Sequence, residues 1–290
     1  MAHCIVPAAE AILDKEFPVL DKGFVRLVDY MGSDDRILQA ARVSYGAGTK
    51  SFRQDKALID YLLRNEHTSP FEQVILTFHC KMPVFVARQW VRHRTARLNE
   101  ISGRYSVMKD EFYIPARDDI AFQSEDNKQG RSDIPVPPEM QESVRVVLAE
   151  QQKQAYSEYI NLIEKGLARE LARINLPVSL YTEWYWQIDL HNLFHFLRLR
   201  MDAHAQKEIR DYATIMAEIA RSVCPLAMES FDRHQRNSLR FSGEEWQVLK
   251  ALLATHLNEN NELENAGSAA GLDEKAIQRL RDKINKGRQV

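Results

Sequence analysis

The chain has 290 residues, with 39 Lys and Arg against 41 Asp and Glu, a formal net charge of −2, and 44% hydrophobic residues. These values describe an ordinary water-soluble protein with room for one large domain or two small ones. They exclude the broad basic surface that nonspecific nucleic-acid coating needs. The three cysteines, Cys4, Cys80 and Cys224, are far apart and odd in number, which excludes a disulfide framework or a zinc ribbon and suits a reducing cytoplasm. No run of about 18 apolar residues exists, and Met1 to Pro7 lacks the basic start and apolar stretch of a signal peptide. The expectation is a cytoplasmic protein without a membrane span.

In chain order, Gly23 to Tyr30 alternates and predicts a strand. Ser33 predicts an N-cap for a helix from Asp34 to Val43, and a second helix is expected from Gln54 to Arg64. Val74, Leu76, Phe78, Cys80 and Met82 fall on one face of the clearest strand. Pro83 then suits the first turn of a helix from Val84 to Arg94, which would place Arg88, Arg92, Gln89 and His93 on one polar face. Residues Asn99 to Gly103 read as a loop. Residues 117–138 are polar and Pro-rich, and predict a mobile surface insertion. A long helix follows from Pro138 to Lys165, stopped by Gly166. Two more helical stretches are expected, Leu180 to Arg200 and His204 to Val223, the second halted before Pro225. Ser242-Gly-Glu-Glu245 is a capping-box pattern, Asn258 to Gly271 reads as a linker, and Asp273 to Ile284 as a last short helix.

Five arginines and a histidine crowd between Arg88 and Arg104, with Glu100 the single acid among them. A solvated basic face laced with salt bridges is one reading of such a run. Anion recognition is the other, because guanidinium forks match phosphate oxygens bidentately. Asn99 to Arg104 supplies backbone N–H groups, a hydroxyl, a carboxylate and a guanidinium within six residues, and Gly103 permits close backbone approach. Ser102 could be a nucleophile or a hydrogen-bonding positioner. A nucleophilic hydroxyl needs a base, and no Gly-x-Ser-x-Gly elbow surrounds it. His191 and His195 are four apart, as are His204 and Glu208, a spacing that either binds a metal or marks half-buried polar contacts.

Arg92-His93-Arg94, seven residues, then Ser102 resembles the arginine-histidine-arginine-x7-serine signature of the flavin-dependent thymidylate synthases. Asn99-Glu100-x-Ser102-Gly103-Arg104-Tyr105-Ser106 resembles that family as well. So do His67-x-x-Pro70-Phe71-Glu72, Ala172-Arg173-x-x-Leu176-Pro177 and Leu199-Arg200-x-x-x-His204-Ala205-Gln206. The likeness spans Gly23 to Asp232. It implies an α+β fold of the thymidylate synthase-complementing kind, a small mixed or antiparallel sheet packed by long helices, assembled as a homotetramer with sites shared between subunits. It implies methylation of dUMP to dTMP, with methylenetetrahydrofolate as one-carbon donor, NADPH as reductant and FAD as cofactor, and neither a metal nor a nucleic-acid partner.

By that resemblance, Arg200 activates the uracil ring and Ser102 positions the nucleotide. Contacts to dUMP fall to Gln89, Arg92, Glu100, Ser102, Gly103, Arg104, Arg173 and Arg200. Contacts to FAD fall to Ser44, Ser69, Glu72, Arg92, His93, Arg94, Asn99 and Glu100, and to the helix carrying Asp189, His191 and His195. His67 lies near flavin and folate. One common form of the family carries asparagine, arginine and asparagine where Asp189, His191 and His195 stand. Residues 1–241 are expected to form the catalytic domain, with the insertion at about 117–138, and residues 242–290 a C-terminal helical extension. Two rival readings remain open: a metal-dependent nucleotide hydrolase acting through His191, His195 and His204, and a nucleic-acid binding module built on the arginine cluster.

Overall fold

The computed structural model describes residues 5–43, 52–125, 130–254 and 262–286. The chain divides into two compact units, Met1–Asn237 and Ser238–Val290.

In the first unit, a short helix α1 (Pro7–Glu10) leads into the hairpin β1 (Glu16–Val19) and β2 (Gly23–Met31). Helices α2 (Asp34–Arg42) and α3 (Phe52–Arg64) precede β3 (Ile75–Pro83), α4 (Val84–Trp90) and β4 (Arg97–Glu100). The long α5 (Pro138–Glu164) and short α6 (Arg169–Ala172) lead to β5 (Tyr181–Asp189). Helices α7 (Leu190–Arg200), α8 (Lys207–Val223) and α9 (Pro225–Phe231) close the unit. The five strands form one antiparallel sheet in the order β1-β2-β3-β5-β4.

Strand alternation decides where the core sits. Val25, Leu27, Leu76, Phe78, Cys80, Met82, Trp184, Trp186 and Ile188 are all buried in the main core, which also takes in α7, α8 and α9. Phe24, Arg26, His79, Glu183 and Tyr185 point the other way and stay partly exposed. Asp34, at the start of α2, accepts from the backbone N–H groups of Leu226 and Ala227 (2.8 and 3.0 Å) and so satisfies the first turn of α9. A satellite core of Met108, Phe112, Tyr159, Ala172 and Leu180 packs under α5.

The N-cap expected at Ser33 is present, its hydroxyl accepting from Asp35 N–H. The long helix stops as expected, with Gly166 at φ +85°. Leu180 to Arg200 is not one helix: Tyr181–Asp189 is a strand and only Leu190–Arg200 is helical. The run Tyr-Thr-Glu-Trp-Tyr-Trp-Gln-Ile alternates aromatic and β-branched residues into the core, and Asp189 caps the helix by accepting from Asn192 N–H at 2.9 Å. The helix expected to reach Arg94 ends at Trp90, so Arg92, His93 and Arg94 sit in the turn into β4, and Arg97–Glu100 is a strand rather than loop. The helix expected from His204 begins at Lys207.

The described residues of the 117–138 stretch make contacts with the rest of the unit. It carries a Gln123↔Arg131 bridge, and Arg131 forms an ion pair with Glu208, which is 1% exposed.

In the second unit, α10 (Gly243–Ala254) starts with the expected capping box. Glu245 N–H donates to the Ser242 hydroxyl, and the Glu245 carboxylate accepts from Ser242 N–H at 2.7 Å. Helix α11 (Glu262–Ala269) occupies much of the expected linker, and α12 (Glu274–Lys286) follows. A Cβ at Gly267 would lie 2.6 Å from the Ile277 side chain, so glycine is what lets these two helices approach.

Candidate active site

The expected site residues fall into three neighbourhoods. The first is built around Trp90, which is fully buried between Trp184, Trp186, Phe196 and Tyr212 with ring centroids 5.1–5.8 Å away. That packing sets the end of α4 and the residues on either side of Trp90. Gln89 donates through Nε2 to the side-chain oxygen of Gln206. His93 lies edge-on to Phe196 at 4.9 Å and 5.8 Å from His195.

Arg200, at the end of α7, donates through Nε to His93 Nε2 at 3.0 Å and through Nη2 to the Gln89 carbonyl at 3.2 Å. Burial, then the positive charge of Arg200, then His195, pull the His93 pKa down to about 4. His93 is therefore neutral at pH 7 and accepts from the guanidinium. Burial also lowers the Arg200 value, although a guanidinium stays cationic in neutral water.

The second neighbourhood is the edge strand β4 and the turn after it. Glu100 pairs across from Trp184, and its Oε1 accepts from Thr182 Oγ1 at 2.6 Å. The Ser102 hydroxyl accepts from Arg104 N–H at 3.3 Å, and the backbone carbonyl of Ser102 accepts from Tyr105 and Ser106. Gly103 is buried, and a Cβ there would lie 3.2 Å from Arg173 Cδ and 3.3 Å from Arg173 Nη1. The nearest atom to such a Cβ is Met108 Sδ at 3.1 Å, so a larger residue here would crowd both Met108 and Arg173. Arg104 reaches Glu170 at 3.2 Å in an exposed pair.

The third neighbourhood gathers Ser69 and Glu72 with the start of α7. Leu190 N–H donates to Val74 carbonyl at 2.9 Å, and Phe71 meets Phe194 at 6.0 Å, which seats the 71–73 turn beside that helix. Asp189 spends its carboxylate inside the protein, on Asn192 N–H and Nδ2 (2.9 and 2.7 Å). His67 is exposed and edge-on to Tyr61. Ser44 lies outside the described residues.

One feature separates the arginines. Arg200 and Arg104 have partners within the chain, whereas the guanidinium groups of Arg88, Arg92, Arg94, Arg97 and Arg173 make no hydrogen bond or ion pair among the described residues. Arg97 shares β4 with Glu100 and Arg173 stands against Gly103, and charges without partners among the described residues complement an external anion.

The histidine set needed for a metal hydrolase is not assembled. His204 lies outside α8, 82% exposed in its side chain, and bonds Asp202 at 2.8 Å. Among the described residues no group of three or more His, Cys, Asp or Glu could hold a metal ion. Cys80 and Cys224 are buried thiols outside any disulfide, with burial pushing the Cys80 pKa up, and Cys4 lies outside the described residues. A cavity of about 430 Å³ opens on the other sheet face, beside His79, Lys81, Lys109 and Glu183. None of the expected site residues lines it, and Lys81 and Lys109 are already paired with Glu111 and Glu183.

Sequence reading missed Trp90, Thr182, Arg131 and Glu208 as supports of the site. Glu208 carried a signal: it shares the buried face of α8 with Tyr212, Met216 and Ile219, an odd place for a carboxylate.

An antiparallel α+β fold with arginines that lack partners among the described residues, beside a glycine turn, suits recognition of an anion. Comparison with known proteins places it more closely. The family described as "Thymidylate synthase complementing protein" matches residues 26–226, and "Thymidylate synthase ThyX C-terminal domain" matches residues 239–290. The chain belongs to this thymidylate synthase family. It is 63% identical to a flavin-dependent thymidylate synthase of Treponema denticola, over 96% of this chain and 100% of that protein. It is 51% identical to the flavin-dependent thymidylate synthase of Thermus thermophilus, over 92% of this chain and 95% of that protein. Among solved structures it is similar to the UMP/dUMP methylase PolB of Streptomyces cacaoi bound with 5-Br dUMP. That match has a TM-score of 0.68 and 33% identity, over 77% of this chain and 100% of that one.

Proposed function

We propose that this chain methylates dUMP to dTMP with FAD as cofactor, taking the one-carbon unit from methylenetetrahydrofolate and reducing equivalents from NADPH. The observation that carries the reading is the arrangement of arginines: one, Arg200, packed and steered by neutral His93, and others, Arg92 and Arg173, with no partner among the described residues. The chemistry requires that contrast. Methylation at C5 needs an electron-rich ring, and a fixed cation at its carbonyl edge stabilises the enolate-like form. The nucleotide phosphate needs cations that are free to be claimed.

Arg200 takes the ring-activating role. Its two hydrogen bonds, to His93 Nε2 and Gln89 carbonyl, fix the plane of the guanidinium. Gln89, Arg92, Glu100, Gly103, Arg104 and Arg173 hold the nucleotide. Ser102 positions it: its hydroxyl accepts from Arg104 N–H, and no side-chain base bonds it among the described residues.

The residues present fit FAD. Arg92 and Arg94 are exposed and without partners among the described residues, and suit a diphosphate; the Asp189 carboxylate is turned to Asn192. Ser69, Glu72, His93, Asn99, Glu100, His191 and His195 complete the flavin set, with Ser44 and with His67 at its folate side. FAD supplies the redox chemistry that couples NADPH to reduction of the one-carbon unit.

The same reading makes the enzyme a cytoplasmic homotetramer with shared sites. Glu100 lies opposite Trp184, five residues along β5 from Asp189, about 17 Å apart at the strand rise. A second protomer would bring such separated sets together. Exposed Tyr105 (76%), Ile174 (69%) and Leu171 (51%) around the Ser102 turn suit burial against a neighbour. We also assign the chemistry to residues 1–241 and treat 242–290 as an extension.

The test is product formation. Protein stripped of flavin and resupplied with FAD, dUMP, methylenetetrahydrofolate and NADPH forms dTMP, and omission of FAD abolishes it. Turnover of a nucleotide that is lost with a chelator and indifferent to flavin would overturn the reading.

A further inference from the structure

In the second unit, α11 and α12 have the parts of a helix-turn-helix, in which a turn of about 3–4 residues, often containing glycine, joins two packed helices. Ala270 to Asp273 is the turn, and Gly271 takes φ +77° within it. Leu272 N–H donates back to the Gly267 carbonyl at 2.9 Å and closes α11. Asp273 opens α12 by accepting from Ala276 N–H at 2.7 Å. Gly267 is buried against Ile277, and Arg281 pairs with Glu264 across the corner. Ile277 and Ile284 make the buried face of α12. Its opposite face is cationic: Lys275, Arg279 and Lys283, four residues apart, form one exposed row. No hydrogen bond or ion pair engages these three side chains among the described residues. The helix holds five basic residues and two acidic ones, Glu274 and Asp282. Asp282 accepts from the Gln278 amide at 3.1 Å, and Glu274 stands in the first turn, where the helix dipole favours an acid.

We propose that the C-terminal unit binds duplex DNA, with α12 lying in the major groove and Lys275, Arg279 and Lys283 on backbone phosphates. Shape and charge both favour that occupant. The major groove of B-form DNA is wide enough for an α-helix, and the second helix of a helix-turn-helix is the one that enters it. The deep, narrow major groove of A-form RNA does not admit one. The row from Lys275 to Lys283 runs about 12 Å along the helix, and duplex DNA carries one negative charge per about 1.7 Å of its axis. A near-neutral chain excludes a broad basic coat, but here the cations are gathered on one face of one helix. This inference goes beyond the dUMP reading and does not depend on it.

The test titrates the full-length protein against a fluorescently labelled, mixed-sequence DNA duplex of about two helical turns, with anisotropy as the readout over a salt series. The triple variant Lys275→Ala, Arg279→Ala, Lys283→Ala should bind about tenfold or more weakly at low salt. The slope of log affinity against log salt should fall by about 0.9 for each cation removed, and Arg279→Ala alone should show one such step. Lys275→Arg with Lys283→Arg keeps the charge and should keep both affinity and slope. Melting temperature, oligomer size and any dTMP formation should match the parent throughout, because these exposed side chains lie outside the residues assigned to that chemistry. Absence of duplex binding by the parent at low salt overturns the proposal. So does duplex affinity that survives the triple variant but falls in Arg94→Ala, which would put the contact on the arginine cluster. Equal affinity for single-stranded DNA or for duplex RNA would overturn the groove docking. A change of oligomer size in the triple variant would overturn it in favour of a contact between copies of the chain.

Discussion

The two arginine-bearing sides of the site are built on opposite principles. Around Trp90, the side chains of Arg200, Gln89 and His93 are held by internal hydrogen bonds and aromatic packing. Along β4 and the Gly103 turn, all four strand residues are exposed and Arg92, Arg94, Arg97 and Arg173 have no partner among the described residues. The packed side suits a charge that must be fixed before substrate arrives, as transition-state stabilisation requires. The open side suits charges that ligands, or a second protomer, complete. Pre-organisation and recognition are thus divided between a buried and an exposed half.

The comparison can be broken most severely at Trp90. Trp90→Ala should cost about 3–5 kcal/mol of unfolding free energy, as large-to-small core substitutions do, and urea unfolding reads it; a cost below 1 kcal/mol would mean the packed half is not organised as described. Arg200→Ala should leave the fold intact and lower kcat about 10²–10³-fold, the scale of losing one preorganised charge contact. Steady-state turnover at saturating dUMP separates that from a binding defect.

On the open half, Arg173→Ala should weaken dUMP about tenfold or more while unfolding free energy changes little, because Arg173 has no bond to lose among the described residues. Equilibrium binding of dUMP followed on the flavin spectrum measures it. If sites are shared, an Arg94→Ala protein mixed with a His195→Ala protein should recover part of the activity that each lacks, and no recovery would count against shared sites.

The smallest effect is in the proton. His93 has its pKa depressed in the folded state to about 4, against an ordinary value of 6.5. The unfolded chain binds the proton more readily, so the stability this group supports is complete above about pH 6.5 and drains away as pH falls toward 4. In a histidine NMR titration His93 should titrate near 4, and Arg200→Ala should raise that value only partway toward 6.5, because burial is the larger cause.

Much of the fold was legible where period and punctuation agreed. The Ser33 cap, the Val74–Met82 strand and the Gly166 stop rest on local signals that tertiary structure did not override. Tyr181–Asp189 misled because a dense aromatic run bordering a genuine helix offers no clear break; only its pairing with β3 and β4 makes it a strand. The site's residue types were readable as a spaced motif. Their supports were not: Glu208 to Arg131, Glu100 to Thr182 and Gly103 to Arg173 join residues far apart in sequence, and only the folded chain brings them together. The polar insertion reads as a mobile surface segment for the same reason, since Arg131 gives no local sign of the buried carboxylate it meets.

The most direct measurement is an anaerobic visible absorption spectrum of the protein after loading with FAD and removal of free flavin. The account predicts a retained flavin spectrum that bleaches with NADPH and shifts when dUMP is added. A well-folded protein that stays colourless, or a bound flavin blind to dUMP, would contradict it.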